Sequence, residues 1–299
     1  MIGFYLFLLL EKILMLLPQK IRRIFFLGLA HFAYLVSKRY KNVVRANLKF
    51  VYGKDVSEEF IQKTTKYAFK LLLLNFLHTM EGRYYSVEKI AKKITFKNEH
   101  ILQAAQAKKK PIIFVTAHYG AWELAGSMLS ALKEPVLIVY KKMKNPLFEK
   151  YLLSTRKKFR ISYVERHGAT KGMLKQMRSG GAIAILIDTN VNSKESIIVD
   201  FLGKPIGQIQ TTAYFARKFD ASLIPVLVHT DDDENYTIEF SEEIIPPKTD
   251  NATEDIRIST QMQTEWLTKK IFKSPEPWFW LHRRFKEEYP EIYTTNTSK

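Results

Sequence analysis

None of the chain's 299 residues is a cysteine. That excludes a disulfide framework, a thiolate nucleophile and any cysteine-based metal site, and it suits a reducing compartment. Acidic residues are scarce as well: 30 Asp and Glu stand against 47 Lys and Arg, a formal net charge of +17. Such an imbalance calls for a polyanionic partner, whether nucleic acid, anionic lipid headgroups or an acidic carrier. Zinc-finger spacing, an RNP-type aromatic motif and a helix-turn-helix signature are all missing, which argues against nucleic acid. No internal repeat or low-complexity linker divides the chain, and no apolar stretch cleanly reaches the roughly 20 residues that a spanning helix needs. A secretory leader would carry positive charge before its apolar run and small residues after it; the first residues do neither.

What the N-terminus does contain is two apolar stretches bordered by positive charge. Ile2–Leu17 is apolar apart from Glu11 and Lys12, and Pro18 closes it. Lys20, Arg22 and Arg23 follow, then a second apolar stretch from Ile24 to Val36, then Lys38, Arg39, Lys41 and Arg45. Apolar helices with basic flanks fit attachment to a negatively charged cytoplasmic leaflet. A pair of buried globular helices is the plainer alternative. The expected architecture is α/β: a single domain over residues 51–299 with a mixed central sheet flanked by helices. Membrane-anchoring helices occupy residues 1–50.

Downstream, strand and helix signals alternate. Ser57 before Glu58 and Glu59 opens a helix reaching about Met80. Helix Glu99–Ala107 feeds the β-branched run Pro111–Thr116. Helix Trp122–Leu132, strand Val136–Tyr140, proline-opened helix Pro146–Phe159 and strand Ile161–Val164 come next. Helix Thr170–Met177, strands Ala182–Ile187 and Ile197–Phe201, helix Gln210–Phe219 and strand Leu223–His229 complete the predicted sheet region. Tyr236–Phe240 alternates as an edge strand, and Ala252–Phe272 is a long amphipathic helix.

His118 ends one strand signal, and Glu123 follows as the next helix begins. A histidine at a strand end with a carboxylate on the next element sits where open α/β folds hold their chemistry. The imidazole can take a proton near neutral pH, and the carboxylate can fix its tautomer. A helix cap and a surface salt bridge would use the same two residues. Asp188 closes a later strand signal, Arg156 lies on an intervening helix and Arg166 just beyond a strand. Two arginines near such a pair suit an anionic substrate or a developing oxyanion, for which N–H groups near Gly120 also qualify. The box Trp278, Trp280, His282, Arg283, Arg284 reads equally as a membrane-interface belt or as the C-terminus docking on the core.

HYGAWEL at His118–Leu124 resembles the H-x4-D/E motif of glycerolipid acyltransferases, in the subtype of the bacterial lipid A late acyltransferases. Four further segments are similar to that family: RANLKFVYG at Arg45–Gly53, Glu165–Asn190, Asp200–Val226, and PEPWFWLHRRFK at Pro275–Lys286. The resemblance covers nearly the whole chain. It implies His118 and Glu123 as the catalytic pair and Arg156, Arg166 and Asp188 as substrate-binding residues, with no metal and no cofactor. It further implies transfer from acyl–acyl carrier protein to a Kdo-bearing lipid A precursor, an anionic glycolipid, at the cytoplasmic face of the bacterial inner membrane. A phosphatidylinositol mannoside or a lysophospholipid is the alternative acceptor. Two departures stand out: Ala121 replaces the family's usual Asn, and Thr189–Asn190 follows Asp188 where Gln or His is commoner.

Overall fold

Punctuating residues set the helices of the computed structural model, which describes residues 2–191 and 196–294. Pro18 cannot extend a helical hydrogen-bond ladder, and it separates α1 (Ile2–Leu16) from α2 (Gln19–Val36). Gly53, at φ +94°, closes α3 (Lys38–Tyr52) in a backbone region where a side chain would be strained. The Ser57 hydroxyl accepts the Phe60 N–H to start α4 (Glu58–Tyr84), and Ser86 does the same for α5 (Val87–Ala91). Then follow β1 (Ile94–Lys97), α6 (Glu99–Ala107), β2 (Ile112–Thr116), α7 (Trp122–Leu132), β3 (Val136–Tyr140), α8 (Pro146–Arg156) and β4 (Ser162–Glu165). After these come α9 (Ala169–Arg178), β5 (Ala182–Leu186), β6 (Ser196–Phe201), β7 (Lys204–Ile209), α10 (Thr211–Phe219), β8 (Ser222–His229), β9 (Tyr236–Phe240) and α11 (Ala252–Lys273).

Among the described residues the main sheet has seven strands in the order β1-β9-β8-β2-β5-β3-β4. Every neighbouring pair is parallel except β8 and β9, so the sheet is mixed, as the sequence implies. The central strand β2 is covered on both faces: Ile113 and Val115 join one core cluster, Ile112 and Phe114 the other. That double burial explains a strand written as an unbroken apolar run, each side chain contributing about 1.5–3 kcal/mol. From β2 the chain crosses to β3 on one side, then returns through β5 to β8 on the other. The carboxyl ends of β2 and β5 therefore border a switch-point crevice.

The N-terminal helices bury Leu14 and Phe26 against α4, but they also bury charge and leave many apolar side chains outside. In α1 Glu11 is 1% exposed while Leu9 is 57% exposed, and Leu6, Leu10, Ile13 and Leu16 also face outward. In α2 Arg22 is buried and Ile24, Phe32 and Leu35 are exposed. Arg22 donates to Glu81 of α4 at 2.7 Å and to the Leu17 carbonyl at 3.0 Å. The Tyr151 hydroxyl of α8 donates to Glu11. Burial lifts the Glu11 carboxyl above its ordinary pKa, against the hydrogen bond from Tyr151 and the pull of Arg83. No helix among the described residues is long and apolar enough to cross a membrane.

Several expectations change. Tyr236–Phe240 is not the sheet edge, because β1, unforeseen as a short half-exposed ITFK, pairs outside it. Ile197–Phe201 leaves the main sheet and forms an antiparallel hairpin with β7. The helix from Pro146 gives way after Arg156 to a single 3-10 turn over Lys157–Phe159. The basic stretch after Val36 is itself a helix, and α3 runs through position 50.

Candidate active site

Strand register builds the centre of the site. Thr116 of β2 lies beside Leu186 of β5, and the Ile187 N–H donates to the Thr116 carbonyl at 2.8 Å. Continuing that register two residues past the sheet sets His118 against Asp188. The contact is threefold: the His118 backbone N–H donates to Asp188 Oδ2 at 2.9 Å, His118 Nδ1 lies 3.0 Å from Oδ1, and Trp278 Nε1 donates to Oδ2 at 2.9 Å. An ionised carboxylate only accepts, so Nδ1 carries the proton and Nε2 is left as the basic nitrogen. The His118 side chain is 29% exposed, and the Asp188 side chain only 3%.

Burial alone would disfavour charge on both partners. The Asp188 carboxylate reverses this for His118, with a smaller contribution from Glu123, and raises the imidazole pKa above its ordinary 6.5. Burial likewise works against the Asp188 charge, but His118, Trp278 and the backbone N–H hold its pKa below the usual value. The pair is thus an imidazole made more basic by a buried anion. Trp122 meets the ring edge-on with centroids 5.3 Å apart, and Phe279 stands at 6.1 Å.

Glu123 is in the first turn of α7, where a helix favours a negative charge. It pairs with Arg156 of α8, not with His118. The expectation that Glu123 orients the imidazole is therefore corrected. Five residues of sequence separate the two, but β5 brings Asp188 closer to Nδ1. Asp188 in turn is no free substrate ligand, since both its oxygens are engaged by protein donors and it is buried. Arg156 leans over the Tyr163 ring at 5.5 Å. Arg166 is exposed beyond β4, and its backbone N–H donates to the Tyr140 carbonyl at 2.8 Å, so it is not brought to His118.

The loop between strand and helix is held from two directions. Gly120 sits at φ +60°, and a Cβ there would come 2.3 Å from the Val228 carbonyl oxygen, so only glycine fits. Its own N–H donates to the Pro277 carbonyl at 2.9 Å, so of the N–H groups near Gly120 this one is engaged within the protein. Asn75 of α4 donates to the Gly120 carbonyl at 3.0 Å and accepts the Glu123 N–H at 3.3 Å. Ala121 is a poor helix cap, and Asn75 satisfies the N–H that a capping side chain would take. Asn75 was missed in the sequence, although an amide inside LLLLNF is a signal, because buried polar groups need partners.

The C-terminal box docks on the core and does not form a membrane belt. Trp278 and Trp280 are buried edge-to-face at 4.6 Å, and Asn47 of α3 donates to the Trp280 and His282 carbonyls at 2.8 and 2.9 Å. Arg284 is buried too, donating to the Gly207 carbonyl at 2.9 Å, and burial pulls its pKa down to about 10. Burial also pushes His282 down to about 4, so it stays neutral beside Asp188.

Next to His118 an apolar cavity of about 90 Å³ opens between α7 and the sheet. Glu123, Arg156 and Tyr163 form its polar side, while Phe114, Ile138 and Val226 line its apolar depth. Among the described residues no group of three or more His, Asp or Glu side chains is arranged to hold a metal ion. A basic nitrogen, a buried orienting anion, a carboxylate–guanidinium pair and an apolar slot together suit proton removal beside a lipid-like chain.

Comparison with known proteins agrees. The family model of the bacterial lipid A biosynthesis acyltransferases matches residues 1–287. The chain belongs to that family. Three relatives show how far the likeness extends. The lipid A biosynthesis lauroyltransferase of Escherichia coli (strain K12) is 25% identical over 263 residues, 87% of this chain and 83% of the relative. The palmitoleoyltransferase of the same organism is 22% identical over 251 residues, covering 83% and 79%. A lipid A biosynthesis acyltransferase of Haemophilus influenzae is 25% identical over 265 residues, covering 86% and 82%. The chain is accordingly an O-acyltransferase of lipid A biosynthesis type.

Proposed function

We propose that this acyltransferase moves a fatty acyl chain from acyl–acyl carrier protein to a hydroxyl of a Kdo-bearing lipid A precursor, at the cytoplasmic face of the bacterial inner membrane. The observation that carries the reading is the apolar cavity that holds the Glu123–Arg156 pair at its polar side and is walled toward His118 by Thr116, Tyr119 and Trp122, the last in ring contact with His118, in a chain of this family. The cavity takes the acyl chain and leaves the thioester carbonyl at its polar side. The acceptor hydroxyl gives its proton to His118 Nε2 as its oxygen attacks that carbonyl. The tetrahedral intermediate then collapses, the carbon–sulfur bond breaks, and the imidazolium returns the proton to the departing thiolate. Asp188 stabilises the imidazolium and fixes its tautomer throughout. Arg156 supplies positive charge on the side where the oxyanion forms, and Glu123 sets its position. No acyl-enzyme is required, because the acceptor is the nucleophile.

The outward leucines of α1 and α2 support attachment along a membrane surface by helices lying in it, with Lys12, Lys20 and Lys38 beside anionic headgroups. Arg166 is left for an anionic group of the acceptor, away from His118. The test is twofold: mass spectrometry of lipid A from cells with and without the gene, and transfer by the purified chain. One added acyl chain on the Kdo-bearing precursor is expected. Transfer only to a phosphatidylinositol mannoside or a lysophospholipid would assign the alternative acceptor.

A further inference from the structure

One surface segment is far more basic than its share of the chain. Residues 141–160 hold eight Lys and Arg against one acid, Glu149, out of a whole-chain excess of 17. Glu149 does not offset them freely, since the Tyr140 hydroxyl donates to it at 3.1 Å. Several surface lysines elsewhere have acidic partners, such as Lys63 with Glu276, Lys110 with Asp220 and Lys70 with Asp233. Lys142, Lys144, Lys150 and Lys157 are exposed and have no ion pair among the described residues. Like charges left unpaired side by side repel, and the arrangement is relieved by an anion from outside.

These lysines border a cleft. Lys142, Lys150 and Lys157 line an open groove of about 580 Å³, whose floor includes Leu153, Ile161 and Tyr163. Ile161 and Tyr163 also line the apolar cavity beside Glu123 and Arg156. One layer of side chains therefore separates the basic groove from the acyl slot. The orientation of α8 matters as well. Its Phe148 and Tyr151 pack on Phe4 and Phe7 of α1, whereas Lys150, Leu153 and Lys157 lie on its opposite side. The groove thus turns away from the helix whose leucines face outward, toward a partner arriving from water and not from a lipid surface.

We infer that this groove is the docking surface for the donor's protein part: an acidic carrier whose acidic side chains meet Lys142, Lys144, Lys150 and Lys157. The phosphate-bearing arm of the carrier lies along the groove, and its acyl chain passes Tyr163 into the cavity. This rests on the carrier-protein donor proposed above and adds where that donor binds.

The experiment compares two donors on the full chain in detergent: acyl–acyl carrier protein, and the same acyl group on N-acetylcysteamine, a thioester with neither protein nor charge. The triple variant Lys142→Glu, Lys150→Glu, Lys157→Glu is expected to raise KM for the carrier-borne donor by on the order of tenfold or more, with kcat nearly unchanged. Turnover of the neutral thioester should stay at the wild-type level. Added salt should raise the wild type's KM for the carrier donor and lower that of the charge-reversed variant, since screening weakens attraction and repulsion alike. The triple Lys→Gln variant, which keeps side-chain bulk without reversing charge, should fall between. An unchanged KM for the carrier donor overturns the inference, as does an equal loss on both donors. So does a loss confined to binding of anionic phospholipid vesicles, which would assign the lysines to a membrane. Failure of the wild type itself to use any acyl–acyl carrier protein overturns the donor reading before any variant is made.

Discussion

In β2, Ile112 through Val115 all turn inward, two to each side of the sheet; in α1 and α2 Leu6, Leu9, Leu10, Leu16, Leu29 and Leu35 turn outward, while Glu11 and Arg22 are buried alongside Leu14 and Phe26. Both regions hide what their surroundings would punish. Around the sheet the surroundings are water and packed helices, so apolar groups are hidden. Over α1 and α2 many apolar side chains stay exposed, while beneath them Arg22 pairs with Glu81 and Glu11 accepts from Tyr151. The difference teaches that the proposed chemistry and the proposed attachment are separable: His118 and Asp188 meet through sheet register, whereas the exposed N-terminal leucines take no part in it.

That separation can be broken or sharpened by substitution. His118→Ala should cut acyl transfer by roughly 10²–10⁴ while sedimentation with membranes stays as in the wild type. Transfer read by mass, alongside a flotation assay, checks both halves; a matched loss of attachment would dissolve the distinction. Arg22→Ala takes the guanidinium from the buried Glu81, leaving it, among the described residues, only His78 at 3.9 Å, and should cost about 3 kcal/mol in denaturant unfolding. A cost near zero would mean that charges beneath α2 are no part of its packing.

Smaller effects test the outward face and the acyl slot. Leu6→Ser with Leu9→Ser should lower binding to anionic vesicles, since each buried leucine is worth about 1.5–3 kcal/mol. Unfolding stability should stay within about 0.5 kcal/mol, because neither side chain packs inward. Gly126 of α7 lines the apolar cavity, and nothing lies within 4 Å of where its Cβ would be. Gly126→Leu should fill that space and shift the products toward shorter acyl chains, with only a modest change in total turnover. Products of unchanged length would place the acyl chain elsewhere.

Much of this was legible in the sequence, for definite reasons. Strands such as β2 and β8 are buried on both faces and spell themselves as apolar runs; β1, half exposed and four residues long, does not. The hairpin strand β7 was hidden by the Pro205 and Gly207 that make it look like loop. His118, Glu123, Arg156 and Asp188 were all singled out, but their pairing was not. An H-x4-E spacing invites a local partnership, whereas the actual partner arrives through register from 70 residues away. Trp278 and Asn75 act over 90 and 48 residues, distances that only the folded sheet closes.

The central claim is that Asp188, not Glu123, is the partner that makes His118 basic. It is tested most directly by the pH dependence of transfer for the wild type, Asp188→Asn and Glu123→Gln. With His118 as the proposed base, activity requires neutral imidazole, so the rate should fall as pH drops through the His118 pKa, which Asp188 and, less strongly, Glu123 raise above the ordinary 6.5. Removing the Asp188 charge leaves only the weaker pull of Glu123 against burial, so the acidic limb should move to lower pH and the plateau should fall by about 10² or more. Glu123→Gln should move the limb in the same direction but by less, its main loss lying in the plateau through Arg156. A limb that moves with Glu123→Gln and stays in place with Asp188→Asn would contradict the account.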